Sequence, residues 1–184
     1  MSNPGSGKED AGRTATDDAW KVFSLVNDWI RHADNKVGVT LAASAAAGVM
    51  LYNLVRALPK GVSGCAYIAP AVCGVLLVLT VVFCTFALNP RIKAADSVDD
   101  PRTLTTPNHL YFGEIITWSR EKYVDEFVEL AADPDALARE ISGQVHVNAK
   151  IATEKMTATK RAVYALSSAV AALAVTAVVV IFHV

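Results

Sequence analysis

The chain has 184 residues and a formal net charge of −1, and 53% of its residues are hydrophobic. The length allows one domain of ordinary size, while the hydrophobic share exceeds the roughly 45–50% that is usual for soluble proteins. The sequence does not predict binding to a nucleic-acid polymer. Such binding requires clustered Lys and Arg, and the chain has no large basic block.

The N-terminal region is predicted to contain a disordered arm followed by a helix. Residues 1–15 are rich in Gly, Ser and charged residues, a composition typical of disorder. Thr16 or Asp17 is predicted to cap the helix that follows. Apolar residues then recur at spacings of three and four, which indicates one apolar stripe on a helix. These residues are Phe23, Val26, Ile30, Ala33 and Val37.

Three stretches without Asp, Glu, Lys or Arg dominate the chain: 37–55, 61–90 and 162–184. The hydrocarbon core of a bilayer is about 30 Å thick and a helix rises about 1.5 Å per residue, so about 20 apolar residues are needed to cross it. The first stretch is the weakest, because Ala-rich helices also pack inside soluble proteins. We predict transmembrane helices over residues 37–58, 66–88 and 162–183.

The segment between the second and third spans, residues 89–161, is predicted to be mainly helical. Pro90 kinks or ends the second span, and a loop follows. Thr106 with Pro107 is typical of a cap followed by Pro at the first helical position, and predicts a helix to about Leu130. Asp133 with Pro134 repeats this pattern. Because no Pro follows, a single helix of about 50 residues is predicted from 134 to near the C-terminus.

The distribution of positive charge predicts the orientation in the membrane. Lys and Arg collect on the cytoplasmic side. Residues 1–36 carry five and residues 89–161 carry ten, whereas the turn between the first two spans carries two and the C-terminal tail none. We therefore expect an all-α protein of the cell inner membrane, with a cytoplasmic N-terminus and helix (16–36), a cytoplasmic segment (89–161) and an extracytoplasmic C-terminus. The long cytoplasmic extensions are expected to form a bundle.

The last predicted helix carries a seam with heptad spacing in which half of the positions are polar. Its members are Leu137, Ile141, Gln144, Asn148, Ile151 and Lys155. Asp34 and Lys36 lie just before the first span, and Arg91 lies just after the second. Polar groups in a seam weaken packing unless they find partners.

Two interpretations of these polar residues stay open. In one, the cations neutralise a small anion while the amides read a base or ribose edge. In the other, the polar residues fix the register of the helices. The candidate ligand-binding residues are Asp34, Lys36, Arg91, Gln144, Asn148 and Lys155.

The sequence offers no catalytic or metal-binding pattern. His32, His109, His146 and His183 lack metal-ligand spacing, and no nucleotide-binding or nucleophile motif is present. The cysteines, Cys65, Cys73 and Cys84, form no CxxC pair, which favours packing roles. We therefore expect a protein that is not an enzyme, with no cofactor and no metal.

The chain resembles the Pycsar transmembrane effectors in four places. The segment WIRHADNKVGVTLAASAAAGVML is similar to the entry helix of that family, in which an Ala-Asp-x-Lys motif leads into the first span. Pro90-Arg91, Tyr111-Phe112-Gly113 and QVHVNAKIATEK also resemble family motifs, in the same order around three spans. The resemblance covers about residues 20–184. One departure is Val37 after Lys36, where the family is expected to carry Ala.

The resemblance implies a role in bacterial antiphage defence. A pyrimidine cyclase encoded by an adjacent gene makes cyclic CMP or cyclic UMP on infection, and the effector responds by impairing the inner membrane, so that infection is aborted. The effector is expected to act on the lipid bilayer as a homo-oligomer, and the small residues of the first span (42–48) are expected to form its interface. The alternative is a membrane-anchored helical scaffold or assembly protein with no small-molecule ligand.

The three uncharged segments generate a first prediction. The purified protein should require detergent to remain monodisperse in size-exclusion chromatography, and should float with lipid vesicles in a density gradient, because its uncharged segments are too apolar for water. A monodisperse chain in plain buffer, with no affinity for vesicles, would contradict the membrane assignment.

Overall fold

The computed structural model describes residues 4–59, 64–89 and 108–183, and all regular elements in these ranges are helical. The elements are α1 (Pro4–Ala57), a short 3-10 helix (Gly64–Tyr67), α2 (Ile68–Leu88), α3 (Phe112–Ile115), α4 (Arg120–Ala132) and α5 (Pro134–His183). Three stretches contain a helix that is long and apolar enough to cross a membrane, namely Ala11–Ala57, Gly64–Leu88 and Pro134–Phe182. The prediction of an all-α protein with three helices long and apolar enough to span a membrane is thereby confirmed.

Apolar side chains on these helices point outward while small and hydroxyl-bearing side chains point inward. Val39 is 72% exposed and Phe182 is 82% exposed, whereas Thr80 is fully buried. A water-soluble protein rarely exposes large contiguous apolar patches. This arrangement is the one expected when the surrounding solvent is lipid.

The chain divides into two compact units. The first unit comprises Met1–Trp29 and Arg91–Ala152, and the second comprises Ile30–Pro90 and Thr153–Val184. Helices α1 and α5 each contribute residues to both units, whereas α2 lies in the second unit and α4 in the first.

The core of the second unit is built from small residues of α1, α2 and α5. One cluster contains Val37, Cys84, Ala87 and Ala162, and a second contains Ala47, Cys73, Leu77 and Ala169. Small side chains let helix backbones approach closely, which is how membrane helices gain packing energy. The Cys73 thiol donates a hydrogen bond to the carbonyl of Ala169 at 3.3 Å, so α2 and α5 are also joined by a polar contact.

Buried hydroxyl groups in this unit bond to the helix that carries them. The Thr80 and Thr176 hydroxyls each donate to the carbonyl four residues earlier at 2.8 Å, and Thr40 does the same at 2.8 Å. Because lipid accepts no hydrogen bond, an unpaired hydroxyl would cost several kcal/mol, about the cost given for any unsatisfied polar group there. Self-pairing lets these residues fill narrow contacts without that cost.

The N-terminal arm is the clearest departure from the sequence prediction. Helix α1 begins at Pro4, so residues 4–15 are helical rather than disordered, and Thr16 and Asp17 lie inside the helix instead of capping it. The reason is tertiary contact within the first unit. The Thr16 hydroxyl donates to the carbonyl of Pro134 at 2.8 Å, and Gly12 is buried where an added Cβ would lie 3.3 Å from Pro134.

A second departure concerns the predicted helix that ends near Leu130. Its proposed cap, Thr106 with Pro107, lies outside the described residues. The structure has two helices, α3 and α4, separated by a turn, and the Ser119 hydroxyl accepts a hydrogen bond from the backbone N–H of Lys122 at 3.3 Å. Trp118, in the turn, packs edge-on against His109 with 5.0 Å between ring centroids. This contact stabilises the turn, although no Pro or Gly interrupts the sequence there.

The start and the length of α5 agree with the prediction. The Asp133 carboxylate accepts hydrogen bonds from the backbone N–H groups of Asp135 at 3.0 Å and Ala136 at 3.1 Å. Pro134 occupies the first helical position, where its missing N–H costs nothing. The helix then continues unbroken for 50 residues.

The tight core of the second unit generates a prediction about Ala162. Ala162 is fully buried, whereas its neighbour Val163 is 41% exposed. Ala162→Phe should overpack the core at a cost of about 1–3 kcal/mol and lower the unfolding midpoint in detergent micelles by a few degrees, measured by circular dichroism. Val163→Phe is the matched control and should melt like the parent protein. Equal melting of both variants would show that the core is looser than described.

Candidate polar site on helices α1 and α5

The six candidate residues are taken here unit by unit. Gln144 and Asn148 belong to the first unit, and Asp34 and Lys155 belong to the second. Lys36 is exposed, while its carbonyl accepts a hydrogen bond from Thr40. Arg91 lies outside the described residues.

In the first unit, four amide side chains form a continuous chain of hydrogen bonds. The Asn108 amide donates to Gln144 at 2.7 Å, Gln144 donates to Asn148 at 3.1 Å, and Asn148 donates to Asn27 at 3.1 Å. Gln144 is only 7% exposed. Because each amide carries both donors and an acceptor, this amide chain links α1, α5 and the segment that precedes α3.

A second set of contacts holds the segment around His109 against α5. The backbone N–H of His109 donates to the Glu140 carboxylate at 2.5 Å, and the Nδ1 atom of its ring lies 2.8 Å from the same oxygen. The Tyr123 hydroxyl of α4 donates to the carbonyl of His109 at 3.3 Å. The Nε2 atom of His109 is buried and lies 3.8 Å from the Glu126 carboxylate. The His109 contacts thus tie α4 and α5 together.

In the second unit, Asp34 and Lys155 form an ion pair between α1 and α5. The Lys155 ammonium donates to both carboxylate oxygens of Asp34, at 2.7 and 2.9 Å. The Lys155 side chain is 17% exposed and that of Asp34 is 37% exposed. A partly buried pair of this kind is screened by water less than a surface pair.

Sequence reasoning missed Asn27, Asn108, His109 and Glu140. A local signal existed for Asn27, because Phe23, Asn27, Ile30 and Asp34 follow one another at spacings of four, three and four. This places Asn27 on the same seam of α1 as Asp34. No comparable pattern marks Asn108 or His109, which lie in an irregular segment.

The chemistry of these groups is recognition by hydrogen bonds and by charge. Within the described ranges, no group of three or more His, Cys, Asp or Glu residues is placed to hold a metal ion. The amide chain offers donors and acceptors, and Lys155 offers a cation whose charge is neutralised by Asp34. Fold and site together define an all-helical protein with three helices long and apolar enough to cross a membrane. It carries two polar clusters, the amide chain and the Asp34–Lys155 pair.

The comparisons with known proteins identify the family. A family model described as "PycTM: Pycsar effector protein domain" matches residues 18–182. The Pycsar effector protein PtPycTM of Propioniciclava tarda is 34% identical over 147 residues, which cover 77% of this chain and 68% of that protein. No solved structure matches the chain. The chain belongs to the Pycsar effector family, as the sequence motifs predicted, and this membership implies an effector of antiphage defence.

The amide chain generates a prediction about stability. Asn148→Leu removes the acceptor of Gln144 and leaves the buried end of that side chain without this partner, which should cost about 1–3 kcal/mol. The double variant Asn27→Leu/Asn148→Leu should cost less than the sum of the two single variants, because two apolar side chains replace a bonded pair. Thermal unfolding in detergent measures both effects. Ser142→Leu, at an exposed position of the same helix, is the control. If the destabilisation of the double variant equals the sum of the two single variants, the contact between Asn27 and Asn148 is contradicted.

Proposed function

We propose that this protein is the membrane effector of a Pycsar system, in which cCMP or cUMP binds the effector and causes it to impair the inner membrane, so that infection is aborted. The observation that carries the proposal is the family match over residues 18–182, which includes all three apolar helices and both polar clusters. The nucleotide is made by a cyclase encoded nearby and reaches the effector by diffusion. The effector itself needs no catalytic group and no cofactor for this role.

The chemistry of the polar clusters supports a nucleotide ligand. A cyclic pyrimidine nucleotide is a small monoanion with a base whose edge carries donors and acceptors. Gln144 and Asn148 have side chains that can pair with such an edge, and Lys155 carries a charge that can neutralise a phosphate. Lys36 and Arg91 are the further cations proposed as phosphate contacts. One cluster lies in each unit, and variants of each cluster separate their contributions.

Coupling of ligand to membrane requires that the ligand distinguish two states of the protein. A ligand shifts an equilibrium only through its differential affinity, and a coupling of about 1–3 kcal/mol changes populations about 5- to 150-fold. Helices α1 and α5 carry both the polar clusters and apolar stretches, so a change at a cluster acts on helices that lie in lipid. The polar clusters are proposed to face the cytoplasm, in line with the positive charge of residues 1–36 and 89–161.

Homo-oligomer formation is proposed to accompany this change. In the small-residue stretch of the first span, Ser44 and Ala47 are buried within the chain, whereas Ala42, Ala43 and Ala46 are exposed. The exposed alanines allow close approach of another helix, while the buried ones already serve the packing of a single chain.

A vesicle assay tests the proposed function. The protein is reconstituted into phosphatidylethanolamine/phosphatidylglycerol vesicles loaded with carboxyfluorescein, and cCMP, cUMP, cAMP and cGMP are added separately. One cyclic pyrimidine nucleotide should cause rapid dye release, and the purine nucleotides should not. Calorimetry on the detergent-solubilised protein should show binding of the same nucleotide.

The same assay has an outcome that contradicts the proposal. If no nucleotide releases dye and none binds, the protein acts without this ligand, and the membrane-anchored scaffold becomes the better description. If a nucleotide does release dye, the variants Lys155→Met and Gln144→Leu test the site. Each variant should weaken the response if its cluster contacts the ligand.

A further inference from the structure

Lys155 occupies an unusual place for a charged side chain. It lies on a seam of α5 that continues, seven residues later, to the fully buried Ala162. Ala162 packs with Val37, Cys84 and Ala87, none of which is more than 1% exposed. Lys155 therefore lies about two helical turns before the buried core of the second unit.

Asp34 supplies the negative charge that makes this position tolerable. Both of its carboxylate oxygens accept hydrogen bonds from Lys155. Removing one partner of such a pair leaves the other charge uncompensated where little water reaches it. This costs much more free energy than replacing both partners by apolar residues. Asp34 thus neutralises Lys155 and at the same time links α1 to α5 at this point of the second unit.

A carboxylate and a phosphate monoanion offer a lysine the same chemistry. Each presents two oxygens that share one negative charge, and each can accept two hydrogen bonds from an ammonium group. A cyclic nucleotide has two such non-bridging oxygens on its phosphate. The Asp34 carboxylate thus makes with Lys155 the two contacts that the phosphate of a small ligand is able to make.

We propose that Lys155 is a binding site for a small phosphate monoanion and that Asp34 occupies this site in the resting protein as a built-in competitor. A ligand that replaces Asp34 keeps Lys155 neutralised, but it breaks the two hydrogen bonds by which Lys155 of α5 is joined to Asp34 of α1. Asp34, which is already 37% exposed, turns to solvent. The identity of the anion as a cyclic pyrimidine nucleotide rests on the proposed function, whereas the resting contact does not.

The competitor sets the threshold for activation. A ligand that binds a minor state has its apparent affinity lowered by the fraction of protein in that state. Weakening Asp34 therefore raises both the resting activity and the affinity for the anion. Asp34 is thus a regulatory residue and Lys155 the residue that contacts the ligand.

Asp34→Asn tests the proposal, with Asp18→Asn as the matched control. Asp18 also pairs with a lysine on α1, Lys21 at 2.8 Å, but both side chains are mostly exposed, at 63% and 75%. In the vesicle assay without nucleotide, D34N should release dye about tenfold faster than the parent protein, and D18N should match the parent. D34N should also bind the activating nucleotide about tenfold more tightly. Lys155→Met should abolish the nucleotide response.

A charge exchange guards against loss of folding. If D34N proves unstable in thermal unfolding, the charge-exchange variant Asp34→Lys/Lys155→Asp (D34K/K155D) restores an ion pair of reversed direction. It should release little dye at rest and should not respond to nucleotide, because its cation has moved to α1. A D34K/K155D protein that responds like the parent would overturn the proposal.

The outcomes also separate this proposal from the proposed function. If the parent protein responds to a cyclic pyrimidine nucleotide while D34N shows unchanged resting release and unchanged affinity, the Asp34–Lys155 pair is structural and the inference is wrong. If the parent responds to no nucleotide but D34N releases dye and binds inorganic phosphate, the built-in competitor stands and the nucleotide assignment fails.

Discussion

The structure depends on the need to satisfy polar groups in a solvent that offers no hydrogen bonds. The apolar parts of α1, α2 and α5 meet this need because a helix pairs its own backbone groups. Their buried hydroxyls bond to carbonyls of the same helix, as Thr80 and Thr176 show. Large apolar side chains such as Val39 and Phe182 are left outside. The interior can then be narrow and built from alanine, cysteine and threonine.

The polar clusters on the seams stand apart from this pattern. A seam position gains most from an apolar side chain, and a buried ion pair is often no more stable than apolar residues of similar size. The amide chain and the Asp34–Lys155 pair are therefore poor devices for stability alone. They specify which residues meet, and under our proposal they are the points at which a polar ligand exchanges with the protein's own groups. Family membership gives this physical reading its biological setting, an effector of antiphage defence.

The two long helices connect these properties. Helices α1 and α5 carry the amide chain and the ion pair and also two of the three apolar stretches. Side chains that bond across them are therefore attached to the same backbone as the side chains that face lipid. Under the proposed function, a regulatory ligand needs no separate transmission element, because a helix keeps its hydrogen-bonded geometry along its length.

The sequence by itself determined the features that arise from local pattern. Uncharged stretches of sufficient length predicted the three spans, the Asp133-Pro134 cap and the absence of a later Pro predicted α5 as one helix, and helical spacing predicted that Gln144 faces inward. These features depend on residues a few positions apart, where helix geometry alone relates them.

Tertiary structure alone decided which groups meet. Asn148 with Asn27, and Lys155 with Asp34, are each separated by 121 positions, and the seam of α1 that carries Asn27 and Asp34 does not tell which side chains of α5 they meet. Gly12 and Thr16 likewise contact the start of α5, and the local composition, which is typical of disorder, gives no sign of these contacts. In each case the stabilising contact is made with residues that are distant in sequence and come close only in the folded chain. The sequence around either residue therefore does not reveal the contact.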